Sequence, residues 1–338
     1  MSNIITSDLY SKIVDLLQQS RQKVVNTINQ TMVNSYYEIG RMIVEHEQHG
    51  KQRAEYGKFI LKDLSNKLSS QFGKGFSLRN LEQMRQFYLC YSITQTVSAE
   101  SKKPEFYLSW SHYLKLMRIR NENERSFYEI ECKANNWSLK ELQRQFDSAL
   151  YERLALSRSK SDVEKLSKLG HMVEKPIDLL KDPYILEFLD LPEKHAYSES
   201  ALEQALIDKL EHFLLELGKG FTYVGRQVRI SFDEKHFKVD LVLFNRLLRC
   251  FCLIDLKIGE LTHQDLGQMQ MYVNYYDRFV RLPEENKTIG IIICKDKSNA
   301  LVEITLPEDN DSIFAGRYQT IIPDKQTLIK LMNSENNK

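Results

Sequence analysis

The chain has 338 residues, with 47 Lys+Arg against 46 Asp+Glu and a formal charge of +1. That length predicts two domains, at roughly 100–200 residues each, and 42% hydrophobic with 28% charged residues exclude bulk disorder and fibrous repeats. No apolar run approaches the ~18–20 residues of a membrane span, and the N-terminus lacks a basic segment followed by an apolar core. The five cysteines (Cys90, Cys132, Cys250, Cys252, Cys294) are scattered and odd in number. The expectation is a cytoplasmic protein with no disulfide framework and no membrane partner.

In chain order, apolar residues first recur at helical spacing: Ile13, Leu16, Leu17; Val24, Ile28, Met32; Tyr36, Ile39, Ile43; Phe59, Leu64, Leu68. Helix starts are marked by Ser77 and by Ser138 with Glu141 three residues on. This half reads as all-helical, with about six or seven helices. The polar stretch Tyr151–Lys175, followed by Pro176, is the natural seam and predicts domains at 1–165 and 166–338. The first carries a net charge of +6 and the second −5. Beyond the seam come a helix over Ser200–Leu217 and strands at Thr222–Phe232, His236–Phe244 and Leu248–Lys257. A helix over Gln264–Asp277 and a buried strand at Thr288–Cys294 follow. This order is α/β. The two Gly-Lys-Gly-Phe segments at 73–76 and 218–221 do not extend into a phosphate-binding loop, and read as helix C-caps.

Alternation along a strand puts Phe251, Leu253, Asp255 and Lys257 on one face and Cys250, Cys252, Ile254 and Leu256 on the other. The preceding strand holds one carboxylate, Asp240, among apolar residues. Antiparallel pairing through the tight connection near Asn245-Arg246 brings Asp240 and Asp255 to the same face. Two carboxylates and one lysine then converge at the edge of an apolar sheet, leaving negative charge in excess. Oxygen ligands of that kind suit Mg²⁺ or Mn²⁺, and a lysine beside them can orient water or offset charge on a phosphate.

Asp240 followed by Asp255-Leu256-Lys257 resembles the PD-(D/E)XK nuclease signature, with Val239 where that signature prefers Pro. Gln268 and Tyr272, neighbours on one helix face, resemble the Q-x-x-x-Y spacing of RecB-type members. The resemblance extends over nearly the whole chain to the YhcG-like family. It is carried by Phe213–Phe221, Gly225-Arg226-Gln227, Asp240-Leu241, Leu248-Arg249-Cys250, Gly267-Gln268 with Tyr272, and Thr288–Lys295. Upstream it is carried by Ile39-Gly40-Arg41, Ala54-Glu55-Tyr56-Gly57, Leu108–His112 and Asn136-Trp137-Ser138 with Glu141-Leu142. It implies an all-α, nucleic-acid-binding N-terminal domain joined to an α/β C-terminal domain of the restriction-endonuclease-like fold, a mixed sheet flanked by helices. It also implies a Glu on the first core helix; Glu203 is favoured, with Glu211 as substitute and Glu216 the remaining candidate.

Basic residues beside aromatics, namely Arg79 and Arg85 after Ser77 and Lys140 and Arg144 after Ser138, suit phosphate contact. They would serve equally as a solvated face. Arg226, Gln227 and Arg229 on the first β-run are further phosphate-contact candidates. Ser111 and His112 have no acid at informative spacing, so Trp110 packing and a Ser111 cap are expected; Cys250 and Cys252 read as core residues. The leading expectation is therefore a Mg²⁺- or Mn²⁺-dependent deoxyribonuclease acting in restriction, defence or recombination. In it Asp240 and Asp255, with Glu203, bind metal, Lys257 positions water, and Gln268 and Tyr272 support the site. The partner is duplex or branched DNA, with RNA and a homodimer left open. The rivals are a non-catalytic DNA-binding or assembly protein that keeps the nuclease fold, and an RNA-cleaving effector.

Overall fold

The computed structural model describes residues 2–49, 54–92, 105–156, 160–191, 197–232, 234–322 and 324–329. The chain divides into two units, Met1–Leu142 and Gln143–Lys338.

The N-terminal unit is helical. The apolar repeats from Ile13 to Ile43 belong to one 48-residue helix, α1 (Ser2–His49), and Phe59, Leu64 and Leu68 to α2 (Ala54–Phe72), which α3 (Leu78–Ser92) follows. Gly73 ends α2 at φ 85°, a left-handed conformation that glycine adopts without steric cost. Ser77 then accepts the Asn80 N–H at 3.3 Å and starts α3. α1 and α3 cross closely at Gly40, where an added Cβ would lie 2.1 Å from the Met84 carbonyl oxygen. Short helices α4 (Trp110–Leu116) and α5 (Glu122–Asn135) follow, and α6 (Leu139–Asp147) opens on Ser138, whose hydroxyl accepts the Glu141 N–H at 3.2 Å.

The C-terminal unit starts before the polar seam. Helix α7 (Leu150–Leu156) carries Arg153, wholly buried and 2.5 Å from Glu216. Arg144 bonds Glu187 at 2.9 Å. Ion pairs of this kind, one wholly buried and one part-buried, hold residues 143–156 to the second unit, which a reading of local polarity cannot detect. After α8 (Lys160–Leu169) come β1 (Tyr184–Ile185), α9 (Glu199–Asp208) and α10 (Leu210–Leu217). The single helix expected over 200–217 is broken at Lys209, whose φ of −117° leaves the helical region.

The strands are β2 (Phe221–Phe232), β3 (Lys235–Asn245) and β4 (Cys250–Glu260), then β5 (Ile289–Asp296) after α11 (His263–Phe279), and β6 (Ile313–Gln319) after α12 (Asn299–Thr305). The sheet order is β1-β6-β5-β4-β3-β2. The β2–β3–β4 part is antiparallel and the rest parallel. Asn245 shapes the β3–β4 turn, its side-chain oxygen accepting the N–H groups of Leu247 and Leu248. One sheet face buries Leu241, Leu243, Cys252, Ile254 and Ile291 against Leu202 and Leu206 of α9 and Phe213 of α10. The other buries Val242, Leu253, Ile292 and Cys294 against Leu266, Met269, Tyr272 and Val273 of α11. Gly290 permits that second contact, because a Cβ there would meet Met269 at 2.5 Å. The α/β unit and helical N-terminal unit agree with the sequence reading.

Candidate active site

Strands β3 and β4 pair from Asn245↔Cys250 to Leu241↔Ile254. The next residues outward are Asp240 and Asp255, brought together where the antiparallel ladder stops. Asp240 closes it: its Oδ2 accepts the Leu256 N–H at 2.9 Å. Its Oδ1 accepts from Gln227 Nε2 at 2.9 Å, and the same amide nitrogen donates to Glu203 Oε2 on α9 at 2.8 Å. Gln227 achieves this from a φ of 47° within β2, just past the register shift between Tyr223 and Gly225. A left-handed conformation at a residue with a Cβ is costly, and it persists where surrounding contacts impose it.

Asp255 is only 2% exposed. Its Oδ2 is buried with no hydrogen bond, although Lys257 Nζ stands 2.9 Å away as an ion pair. Burial, and then the charge of Asp240, push the Asp255 carboxyl up to about 7 against the opposing attraction of Lys257. Burial by itself would lower the Lys257 ammonium, but Asp255, with Glu199 and Asp265, outweighs it and holds the value above the ordinary one. The Glu203 carboxyl is also raised, by burial and then by Asp240.

Gln268 and Tyr272 share a face of α11, as their spacing implies, but they are spent on each other and on the backbone. The Gln268 amide donates to the Tyr272 hydroxyl, and that hydroxyl donates to the Lys238 carbonyl at 2.8 Å. Tyr272 is completely buried, so its hydroxyl supports β3, while Gln268 beside it is half-buried. Asp265 was missed in the sequence. It forms a reciprocal capping pair with Thr262 at the start of α11 and lies 3.7 Å from Lys257. The Thr262-x-x-Asp265 spacing is the signal that could have found it.

Two Glu alternatives fall away. Glu216 is wholly buried and accepts from Arg153 and from the Ile185 N–H; burial is overcome by Arg153, Lys181 and Arg144, which lower its carboxyl to about 2. Glu211 is exposed. Among the described residues no three His, Cys, Asp or Glu side chains are spaced to enclose a metal ion. The expected three-carboxylate site therefore becomes a pair, Asp240 and Asp255, with Glu203 attached through Gln227. Two carboxylates, with only Lys257 to offset them directly, fit a hard divalent cation, since Mg²⁺ commonly takes one or two carboxylates and retains water.

The expected nucleic-acid contacts divide. Arg79 and Lys140 are exposed, as is Arg229, and Arg226 is exposed with a 3.1 Å bond to Gln204. Arg85 is engaged with Glu47 at 2.6 Å. Arg144, only 16% exposed, is held by Glu187 and by Glu216 at 3.5 Å, which removes it as a phosphate contact. Gln227 faces the carboxylates. Ser109, not Ser111, occupies the N-cap position of α4. His112 sits 2.7 Å from Ser109 Oγ and 3.1 Å from the Trp137 carbonyl, so it is a structural bridge. Cys250 and Cys252 line one core and Cys294 the other, and all three thiols are free.

A mixed sheet with Asp240, Asp255 and Lys257 gathered at the end of its antiparallel ladder defines a nuclease domain of the PD-(D/E)XK class. Residues 177–333 match the model of the YhcG PDDEXK nuclease domain, and residues 12–153 match that of the DUF1016 N-terminal domain. The chain is 38% identical over 345 aligned positions to YhcG of Escherichia coli (strain K12), covering 95% of this chain and 92% of that one. The chain belongs to the YhcG family. A crystal structure of a repair endonuclease from Pyrococcus abyssi aligns at 14% identity with a TM-score of 0.27, over 38% of this chain and 50% of that one.

Proposed function

We propose that this chain is a divalent-metal-dependent nuclease that hydrolyses phosphodiester bonds of duplex or branched DNA, in restriction, defence or recombination. The observation that carries the reading is Asp255: a buried carboxylate beside Asp240 at the end of the β3–β4 ladder, with Lys257 as its one ion-pair partner against two negative charges. Such an arrangement is costly until a cation compensates it.

Asp240 and Asp255 would hold Mg²⁺ or Mn²⁺. A divalent cation bound there supplies polarisation of a phosphoryl oxygen and a more acidic water. Lys257, kept cationic by its carboxylate neighbours, acts as a donor and a positive charge, orienting the attacking water and offsetting charge on the phosphate. Glu203 fixes the Asp240 carboxylate through the Gln227 amide. Gln268 and Tyr272 hold β3, and thereby Asp240, in place. Exposed Arg79, Lys140, Arg226 and Arg229 are available to phosphates.

The test offers the purified chain supercoiled, linear, single-stranded and branched DNA, and RNA, with Mg²⁺, Mn²⁺ or EDTA. DNA cleavage that needs the cation and is lost in Asp255→Ala and Lys257→Ala is expected. Cleavage that persists in EDTA or in both variants, or cleavage of RNA alone, overturns the proposal.

A further inference from the structure

The structure of α1 points to a second copy of this chain as a partner. Nine large apolar side chains between residues 9 and 32 of this helix are exposed. All lie within one broad arc of the helix surface, whereas a helix of a folded unit ordinarily turns such an arc inward. Eight of them are placed symmetrically: Leu9 and Met32, Ile13 and Ile28, Leu16 and Val25, and Leu17 and Val24 are each equidistant from the midpoint between Ser20 and Arg21. Tyr10 alone lacks an apolar counterpart, facing Thr31.

A two-fold interface is self-complementary, with residue i against j and j against i. In an antiparallel pair of α1 helices centred at Ser20/Arg21, Leu17 with Val24 and Ile13 with Ile28 meet that condition in the seam, Leu9 and Met32 border it, and Leu16 and Val25 lie on its two opposite flanks. A parallel heptad register started at Tyr10 does worse, setting Ser20, Thr27 and Thr31 in the seam. The eight side chains are 41% to 63% exposed. We infer that two copies associate through antiparallel pairing of residues 9–32 of α1. If the nuclease reading above also holds, each particle carries two cleavage centres.

The experiment uses the full chain, and neither readout depends on cleavage. Sedimentation equilibrium should return twice the 39.8 kDa chain mass. The pair of substitutions Leu17→Glu and Val24→Glu should weaken association at least about 100-fold with helix content unchanged by circular dichroism. Disulfide trapping fixes the direction. A mixture of Leu17→Cys and Val24→Cys chains should cross-link, whereas Leu17→Cys alone should not, since like positions then lie about 10 Å apart along the axis. A monomeric chain, a dimer indifferent to the Glu substitutions, or efficient cross-linking of Leu17→Cys to itself overturns the inference. A stoichiometric complex with a different protein or a lipid surface, formed by a monomeric chain, overturns it as well.

Discussion

Replacing Asp255 by Asn removes a charge that both burial and the neighbouring Asp240 disfavour. The Asp255 carboxyl sits at about 7 in place of 3.8, a displacement of about three units, or ~4 kcal/mol at 1.36 kcal/mol per unit. Lys257 is already counted, because its attraction opposes burial in setting that value. The folded value lies above the unfolded one, so the folded chain binds the additional proton between about pH 4 and 7. The contribution to stability is fully present below about pH 4 and declines by ~1.4 kcal/mol per unit until about pH 7. Asn cannot ionise. The stability of Asp255→Asn relative to the wild type should therefore rise by up to ~4 kcal/mol between pH 4 and pH 8. Urea unfolding should be followed by far-ultraviolet circular dichroism, because Trp110 and Trp137, the two tryptophans, lie in the N-terminal unit. Saturating Mn²⁺ at pH 8 should stabilise the wild type and leave the variant unmoved. A difference between the two proteins that stays constant with pH would refute the account of Asp255 as a strained, cation-seeking carboxylate.

Gln227→Gly relieves the left-handed backbone but removes the link between Glu203 and Asp240. Its melting temperature should stay near that of the wild type while cleavage falls at least about tenfold, and full activity would show the link to be idle. Tyr272→Phe leaves the Lys238 carbonyl and the Gln268 amide without their partner. It should cost ~1–2 kcal/mol in urea unfolding and reduce cleavage far less than Lys257→Ala does. Gly40→Ala forces a methyl group to 2.1 Å from the Met84 oxygen. Tryptophan fluorescence should report a loss of ~2–3 kcal/mol in the N-terminal unit, consistent with overpacking at a close crossing.

The centre of the fold was legible because it rests on short-range rules. Two apolar strands joined by a tight turn have a register fixed by alternation, and that register puts Asp240 beside Asp255 without further knowledge. The caps at Ser77 and Ser138 were legible for the same reason. Arg144 was misread because nothing local separates an arginine facing solvent from one facing Glu187, which is distant in sequence. The strand β6 went unnoticed because Gly316 and Arg317 interrupt its apolar pattern. Its place comes from parallel pairing with β5 and close packing of Gly316 on Tyr184. Gln227 looked like a phosphate ligand on its strand; only the strained backbone turns its amide toward the carboxylates.

The Arg153–Glu216 pair sets a limit on how the nuclease domain can be excised. A fragment begun at residue 166, or at 177 where the nuclease model starts, would discard both arginines that pair with Glu216 and keep only Lys181 of the three cations that hold its carboxyl low. Removing an ion-pair partner from a buried carboxylate costs ~3–5 kcal/mol, a large part of the stability of an ordinary domain. The shortest catalytic fragment that folds must accordingly begin upstream of Arg144, so the ionic staple, more than the polar seam, defines where this domain begins.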